Sequence, residues 1–150
     1  MKHTTPPLDV LLIEDEPLIA MDMQMMVEDA GHMVVGEAAT MTELETILPG
    51  TAPDVAFVDI QLGDGSSGID ACRRIRDTWK DTFVIFVTAN PAMIPDDFAG
   101  GHGVIAKPFT QDGFMSAMRY LEEGICDPPP VVPRPDAFCA SPAFAARWEN

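Results

Sequence analysis

The sequence predicts an α/β sandwich, in which one parallel β-sheet lies between two layers of helices. Five short apolar segments recur along the chain with helical segments between them. Most of these apolar segments are continuous rather than alternating, which is typical of parallel strands that are covered on both faces. The chain has 150 residues, of which 47% are hydrophobic, so it can bury one core of ordinary size.

Five strands are expected, one for each apolar segment. Several of the segments are rich in the β-branched and aromatic residues that strands favour. The predicted strands run from Leu8 to Ile13, Met33 to Gly36, Val55 to Val58, Phe83 to Val87 and Val104 to Ala106.

Four helices are expected between and after these strands. They span Leu18 to Ala30, Thr42 to Leu48, Gly68 to Trp79 and Thr110 to Glu122, and Pro17 suits the first turn of the first helix. The connection between Thr88 and Lys107 is different, because it is rich in proline and glycine. Only a short helix is predicted there, near Ile94 to Ala99.

The composition changes near residue 125, where we place a domain boundary. Residues 1–125 form the predicted domain, and residues 126–150 form a proline-rich tail that favours an extended polyproline conformation. The tail contains Phe138, Phe144 and Trp148, and it could be disordered, fold back on the domain or bind a partner. With about 25 residues it is too short for a DNA-binding or catalytic output domain.

Charge and composition exclude several classes of function. The formal net charge of −15 disfavours direct binding to nucleic acid, because the phosphate backbone would be repelled. Three widely spaced cysteines, Cys72, Cys126 and Cys139, suit a reducing compartment. No apolar segment approaches the length that crosses a bilayer, and the N-terminal residues lack a signal-peptide pattern. We expect a cytoplasmic protein without a membrane-inserted segment.

Polar residues follow four of the predicted strands. Glu14 and Asp15 follow the first strand, Asp59 the third, Thr88 the fourth and Lys107 the fifth. The carboxyl ends of parallel strands share one edge of a sheet, where ligands bind. Two carboxylates roughly 4 Å apart repel by about 4 kcal/mol at an effective dielectric constant of about 20, so the acidic cluster requires cations.

Magnesium and Lys107 would supply the positive charge. Mg²⁺ prefers hard oxygen ligands, which Asp15 and Asp59 offer directly and Glu14 offers through water. Asp59 could then attack a phosphoryl group, while the metal and Lys107 neutralise the equatorial oxygens. Thr88 would donate a hydrogen bond to the bound phosphate.

The chain resembles the receiver domains of bacterial response regulators over residues 8–122. The resemblance rests on the order of the acidic pair after the first strand, Asp59, Thr88 and the sequence Lys107-Pro108-Phe109. The resemblance implies a flavodoxin-like, doubly wound sheet of five strands in the order 2-1-3-4-5, with a cis Lys107–Pro108 bond. It implies a two-component phosphoacceptor in residues 1–125 that receives phosphate on Asp59 from a histidine kinase or a histidine phosphotransfer protein. Such a protein is not a conventional enzyme, since it catalyses only its own phosphorylation and slow dephosphorylation.

Two segments resemble a narrower group, the receivers of the alphaproteobacterial general stress response. They are the stretch from Asp59 to Ala71 and the sequence Val87-Thr88-Ala89-Asn90-Pro91. This resemblance implies a kinase of the HWE or a related class. It also implies that the backbone carbonyl of Gln61 is a third protein ligand of Mg²⁺.

One position departs from the receiver pattern. Receivers usually carry Tyr or Phe three residues before the lysine, and here that residue is Val104. The usual coupling between this aromatic side chain and Thr88 is therefore absent. We predict instead that phosphorylation orders the loop from Ala89 to Gly103, which includes Asn90 and lies close to Pro108 in the chain.

The first helix carries two apolar stripes. The core stripe contains Ile19, Met23, Met26, Val27 and Ala30. Leu18, Met21 and Met25 form a second stripe, which has no evident core to face. We predict that this stripe docks on the helical bundle of the kinase, and the alternative is peripheral packing beneath the tail.

Two other functions agree less well with these residues. The segment Gly63–Gly68 fits the dinucleotide pattern GxGxxG, but Asp64 would place negative charge in the phosphate cradle, and Ser66 and Ser67 suit a helix cap better. An aspartyl-phosphate phosphatase usually has a second Asp two residues after the nucleophile, where this chain has Gln61, so efficient turnover is not expected. A phosphate switch, a shuttle and a sink for a shared kinase remain open. The three histidines, expected at the surface, suggest no shared site.

Overall fold

The computed structural model describes residues 6–126 and 128–148, which contain one six-stranded sheet. The strand order is β2-β1-β3-β4-β5-β6, and only β6 is antiparallel to its neighbour. The predicted order of the first five strands, 2-1-3-4-5, is confirmed. The strands are β1 Asp9–Ile13, β2 Met33–Ala38, β3 Val55–Val58, β4 Phe83–Thr88, β5 Gly103–Ala106 and β6 Phe138–Ala140.

Helices α2 and α3 begin at residues whose side chains accept a hydrogen bond from a first-turn amide. The Thr40 hydroxyl accepts from the amide of Glu43 at the start of α2, and the Ser67 hydroxyl accepts from the amide of Ile69 at the start of α3. Pro17 occupies the first turn of α1, as predicted. The helices are α1 Pro17–Asp29, α2 Met41–Ile47, α3 Gly68–Thr78, α4 Gln111–Cys126 and α5 Pro142–Trp148.

The sheet separates two apolar cores, which explains the continuous apolar strands. In β1, Val10 and Leu12 face a core built with α1 and α4. Leu11 and Ile13 of the same strand face a second core built with α2 and α3. A strand that is buried on both faces must be apolar at every position.

The connection between β4 and β5 differs from the prediction. In place of a short helix near Ile94 to Ala99, the structure has two 3₁₀ turns, Pro91–Met93 and Phe98–Gly100. Phe98 and Ala99 have left-handed φ angles of 54° and 51°. Pro91 and Pro95 are tolerated in a first turn, but the left-handed residues Phe98 and Ala99 interrupt the right-handed path that a helix from Ile94 to Ala99 requires.

The residues after α4 fold back on the domain. β6 pairs with β5, and Phe138, Ala140 and Phe144 join the core on the side of α1 and α4. Residues 128–137 form the connection and contain no helix or strand. The sixth strand was not predicted, because a three-residue strand after a proline-rich segment carries no detectable periodicity. Asp127 lies outside the described residues.

Two of the histidines are structural, so the expectation that they lie at the surface is wrong. His32 is buried, and its Nδ1 accepts from the amide of Leu8 at 2.9 Å. His102 is half-buried, and its Nδ1 accepts from the amide of Val84 at 3.0 Å. His3 lies outside the described residues.

The Lys107–Pro108 peptide bond is cis, as expected.

In the described part of the chain, we find no helix with the length and apolar character that crossing a bilayer requires.

Stability should depend on pH through His32. Burial lowers the pKa of His32 below its ordinary value of 6.5, against the opposing charges of Glu122 and Asp54. The unfolded chain therefore takes up a proton before the folded chain does, and the stability that neutral His32 provides is lost as the pH falls from 6.5 through the folded pKa. We expect His32→Asn, which retains an acceptor for the Leu8 amide, to reduce this loss.

Urea denaturation of both proteins between about pH 7.5 and 5 measures the effect, since urea midpoints report the free energy of unfolding. The same pH dependence in the wild type and in the His32→Asn variant would contradict the prediction.

Candidate functional site

The sheet brings the predicted site residues together at its carboxyl edge. The amide of Asp59 donates to the carbonyl of Ile13 at 2.9 Å, which places the end of β3 beside the end of β1. The amide of Lys107 donates to the carbonyl of Thr88 at 2.8 Å, which places the end of β5 beside the end of β4. Backbone hydrogen bonding between parallel strands thus assembles residues that are distant in the sequence.

Three carboxylates form the floor of the site. Glu14, Asp15 and Asp59 each offer an oxygen atom, and these atoms lie within 4.8 Å of one another. Glu14 and Asp59 are largely buried, with exposed fractions of 6% and 9%. A set of carboxylate oxygens, with no sulfur or imidazole ligand, fits a hard divalent cation such as Mg²⁺.

The Lys107 ammonium is the positive charge in this cluster. Its Nζ lies 2.6 Å from Glu14 Oε1 and 3.2 Å from Asp59 Oδ2. Glu16 Oε2 lies farther away, at 3.8 Å. The ammonium group is shared between the predicted phosphoacceptor and one of the two acids that follow β1.

The protonation of Glu14 and Lys107 follows from this arrangement. Burial raises the pKa of Glu14 to about 7; the hydrogen bond from Lys107 opposes this shift, and the charge of Asp59 adds to it. Burial alone would lower the pKa of Lys107, but its hydrogen bond to Glu14 and the charges of Glu14 and Asp59 raise it. Lys107 therefore stays positively charged beside Asp59 at neutral pH.

Thr88 lies at the wall of a pocket that opens above Asp59. Thr88 is 2% exposed, and its Oγ1 accepts from the amide of Asn90 at 3.0 Å. Because the oxygen acts as the acceptor in that bond, the hydroxyl proton can be donated to a ligand. The pocket has a volume of about 270 Å³, and Gln61 and Ala89 also line it. This space accommodates a phosphoryl group.

The loop after Asp59 serves to start α3. Ser67 caps the helix, as predicted, while the amide of Ser66 donates to Asp64 Oδ1 at 3.0 Å. Gly68 packs tightly under the phosphoacceptor, since a Cβ atom there would overlap the carbonyl oxygen of Asp59. Close packing on the backbone of Asp59 explains this glycine without a phosphate cradle.

Val104 is buried in the core on the side of α2 and α3. It lies opposite Phe86 of β4 and opposite Cys139 of β6 in the sheet. A short buried side chain cannot swing between an outward and an inward position as an aromatic ring can. The geometry therefore agrees with a switch that does not use this position.

The second apolar stripe of α1 is exposed. Leu18 is 76% exposed, and Met21 and Met25 are both 59% exposed. Met25 also borders a pocket of about 240 Å³ that Asp22 and Phe109 help to line. The described tail residues join the sheet beyond β5 and leave this stripe exposed, so the alternative of packing beneath the tail does not hold for them.

Two residues near the site were missed by the sequence analysis. Glu16 lies near Lys107, and its signal was its position directly after the acidic pair. Met93 is exposed and borders a neighbouring pocket that Asp15 and Gln61 share. No local signal identifies Met93, because it lies in a loop without periodicity.

Comparison with known proteins agrees with this geometry. A family model for the response regulator receiver domain matches residues 10–119. The phyllosphere-induced regulator PhyR of Methylorubrum extorquens is 45% identical over 107 residues, which cover 67% of this chain. The chain spans only 38% of the length of that relative.

Solved structures show the same similarity. The receiver domain of PhyR from Erythrobacter litoralis aligns with a TM-score of 0.70 and 34% identity, covering 84% of this chain and 97% of that one. PhyR from Brucella abortus aligns with a TM-score of 0.62 and 41% identity, covering 71% of this chain and 44% of that one.

Proposed function

Because this chain belongs to the response regulator receiver domain family, we propose that it is a phosphoacceptor that receives a phosphoryl group on Asp59 from a histidine kinase. The observation that carries the proposal is the position of Asp59. Its carboxylate lies 3.2 Å from the Lys107 ammonium, within a cluster of three acids and beside the Thr88 hydroxyl. We infer that the phosphorylated chain signals to partner proteins or competes for them.

The transfer exchanges one bond to phosphorus for another. An Asp59 oxygen attacks the phosphorus atom, and the bond from phosphorus to the histidine nitrogen of the kinase breaks, so the electron pair returns to the imidazole. The Lys107 ammonium faces the equatorial oxygens, and Thr88 donates to one of them. Asp15, Asp59 and the Gln61 carbonyl would hold Mg²⁺, with Glu14 reaching it through water, and the bound ion would stabilise the developing charge.

Slow loss of the phosphoryl group follows from the neighbouring residues. Gln61 and Asn90 line the pocket beside Asp59, and an amide can orient a water molecule but cannot take up its proton as a carboxylate does. The site therefore favours a lasting phosphoaspartate over the rapid turnover of a phosphatase.

Similarity to PhyR supports a role in a stress response. One solved PhyR is described as a stress response regulator, and another, from Bartonella quintana, as an anti-anti-sigma factor. Because this chain matches the receiver part of those proteins, we propose that it shares a cytoplasmic phosphorelay with a regulator of that kind. Its donor would be an HWE-class histidine kinase, as the segment from Asp59 to Ala71 suggests, or a histidine phosphotransfer protein.

The exposed stripe on α1 supports a docking role. Leu18, Met21 and Met25 lie on the helix that begins four residues after Ile13, the last residue of β1, so they flank the carboxyl edge of the sheet. Flexible methionine side chains adapt to different apolar partner surfaces. A partner helix packed on this stripe would bring its histidine towards Asp59.

The loop from Ala89 to Gly103 is the proposed switch. At the start of the loop, the amide of Asn90 donates a hydrogen bond to Thr88 Oγ1. If Thr88 turns to donate to a phosphoryl group on Asp59, this hydrogen bond changes and the start of the loop moves with it. Left-handed conformations at Phe98 and Ala99 each cost on the order of 1 kcal/mol. Since this loop holds strain and lacks a regular helix, small changes at Thr88 can shift its conformation.

Replacing Asp59 should abolish phosphorylation. Asp59→Asn retains the shape of the side chain but removes the nucleophile, and we expect no label from radioactive acetyl phosphate. Chelation of Mg²⁺ should have the same effect on the wild type. Asp70→Asn is the matched control, because it removes an exposed acid on α3 and should leave labelling unchanged. Stoichiometric labelling of the Asp59→Asn variant would refute the proposed phosphoacceptor.

Charges on the α1 stripe should slow transfer from the kinase alone. We expect Met21→Glu with Met25→Glu to reduce the rate of transfer from a phosphorylated kinase at least tenfold, about 1.4 kcal/mol of barrier, because carboxylates oppose apolar docking. Labelling by acetyl phosphate should not change. Met33→Glu is the matched control. Met33 is also 59% exposed, but it is the first residue of β2 and therefore lies at the amino end of that strand, away from the carboxyl edge of the sheet. Equal slowing with both donors would contradict the docking role.

Phosphorylation should increase amide protection in the loop. We expect slower hydrogen exchange across residues 89–103 when beryllofluoride and Mg²⁺ are added, because Thr88 and the loop become ordered around the mimic. The Asp59→Asn variant under the same conditions is the control. If exchange in these residues is the same with and without the mimic, the proposed switch is wrong.

A further inference from the structure

The outer edge of β5 forms a groove that the chain fills with its own C-terminal residues. β6 pairs with β5 in antiparallel register, with Gly103 opposite Ala140 and Ile105 opposite Phe138. The amide of Ser141 then donates to the carbonyl of His102 at 2.9 Å. Backbone pairing thus continues past the short strand and into the turn before α5.

Aromatic side chains shape the groove to this segment. The ring of Phe138 lies 5.5 Å from that of Tyr120, and the ring of Phe144 lies 5.2 Å from Phe83 and 4.9 Å from His102. Phe138 and Phe144 are each only 2% exposed. The groove therefore takes up two aromatic side chains, six residues apart, from one segment that runs from β6 into the first turn of α5.

Gly103 is required by the close approach of the segment. A Cβ atom at this position would lie 2.5 Å from the ring of Phe138 and 2.9 Å from the carbonyl oxygen of Cys139. A side chain on this residue would collide with both the backbone and an aromatic ring of β6. The fit depends on the segment itself and not on general apolar character.

A proline-rich connection separates the segment from the domain. Residues 128–137 contain no helix or strand. Apart from residues near β6, their contacts include two hydrogen bonds, from the amides of Val131 and Val132 to Glu123 Oε1. Ten residues in a polyproline conformation span roughly 31 Å. Such a connection can present the segment to the groove of a neighbouring molecule.

We propose that the β5 edge is a strand-binding site for residues 138–144 and that two copies of this chain exchange these residues to form a twofold dimer. Every copy carries both the groove and the segment that fits it. In a reciprocal exchange, each contact described above forms between the two molecules. The backbone groups at the outer edge of β5 are then paired in both copies. This interaction goes beyond the proposed phosphoacceptor function and does not depend on it.

Concentration and salt set the balance between the two forms. The short connection holds the segment near its own groove at an effective concentration on the order of 1 mM, which favours the monomer in dilute solution. Two chains that each carry a formal charge of −15 also repel one another. Higher protein concentration and higher ionic strength should therefore increase the exchanged dimer.

A disulfide across β5 and β6 tests the exchange. Val104 lies directly opposite Cys139, and Cα atoms of such antiparallel pairs are about 4.5–5.5 Å apart, within the range of disulfides. The full chain with Val104→Cys and Cys126→Ser is unfolded, refolded at increasing protein concentration and oxidised. Cys72 is buried, and burial raises the pKa of its thiol to about 12, so it stays unreactive.

Non-reducing denaturing gels then separate the monomer, which carries an intramolecular disulfide, from the dimer, which carries intermolecular disulfides. We expect the fraction of chains in the covalent dimer to increase roughly tenfold for each tenfold rise in concentration well below about 1 mM, and to increase further with salt. Only the intramolecular disulfide at every concentration would overturn the exchange. Dimers that persist after Phe138→Ala and Phe144→Ala are added would also overturn it, because the segment would not be their cause.

Binding of a free peptide tests the groove independently. A fluorescent peptide of residues 135–148 is added to the full chain, where we expect the chain's own segment to exclude it. In the variant with Phe138→Ala and Phe144→Ala, binding should tighten at least tenfold, and further substitution of Gly103→Ala should abolish it. Val131→Ala, in the same connection but outside the groove, is the matched control. Equal peptide binding by the wild type and the double variant would refute a strand-binding site.

Discussion

The contact of the Lys107 ammonium with Glu14 and Asp59 is the interaction around which the site is arranged. It connects the ends of β1, β3 and β5, where two largely buried carboxylates would otherwise repel each other. Removal of one partner from a buried ion pair costs about 3–5 kcal/mol, because an uncompensated charge remains. In the proposed transfer the same ammonium group would neutralise a phosphoryl group on Asp59, so one contact serves both the folded structure and the proposed chemistry.

This contact requires the parallel sheet. The carboxyl ends of β1, β3, β4 and β5 lie side by side only because both faces of the sheet are covered by helices, which return the chain to the same edge after each strand. Packing at the edge is close, as Gly68 shows beneath Asp59. The apolar cores thus hold the charged groups within reach of each other, although the site itself adds little apolar burial.

Two parts of the chain are less regular than the parallel sheet and its helices. One is the loop between β4 and β5, and the other is the segment after α4 that pairs with β5. The connection from Thr88 to Gly103 is a strained loop without an α-helix. Beyond α4, β6 occupies the outer edge of β5 and shields backbone groups that would otherwise attract another strand. The stripe on α1, the loop after β4 and the edge of β5 are the surfaces that we propose for docking, switching and exchange between copies.

Much of this molecule is encoded in local patterns. Continuous apolar segments predicted the five parallel strands, and the polar residues that follow them, such as Asp59 and Lys107, predicted the site, because periodicity and strand ends can be read within a few residues. Only the tertiary structure decided the rest: the antiparallel pairing of Phe138–Ala140 with β5, the burial of His32, and the left-handed turn at Phe98. Each of these depends on contacts with distant residues, whose free energies outweigh weak local preferences that point elsewhere.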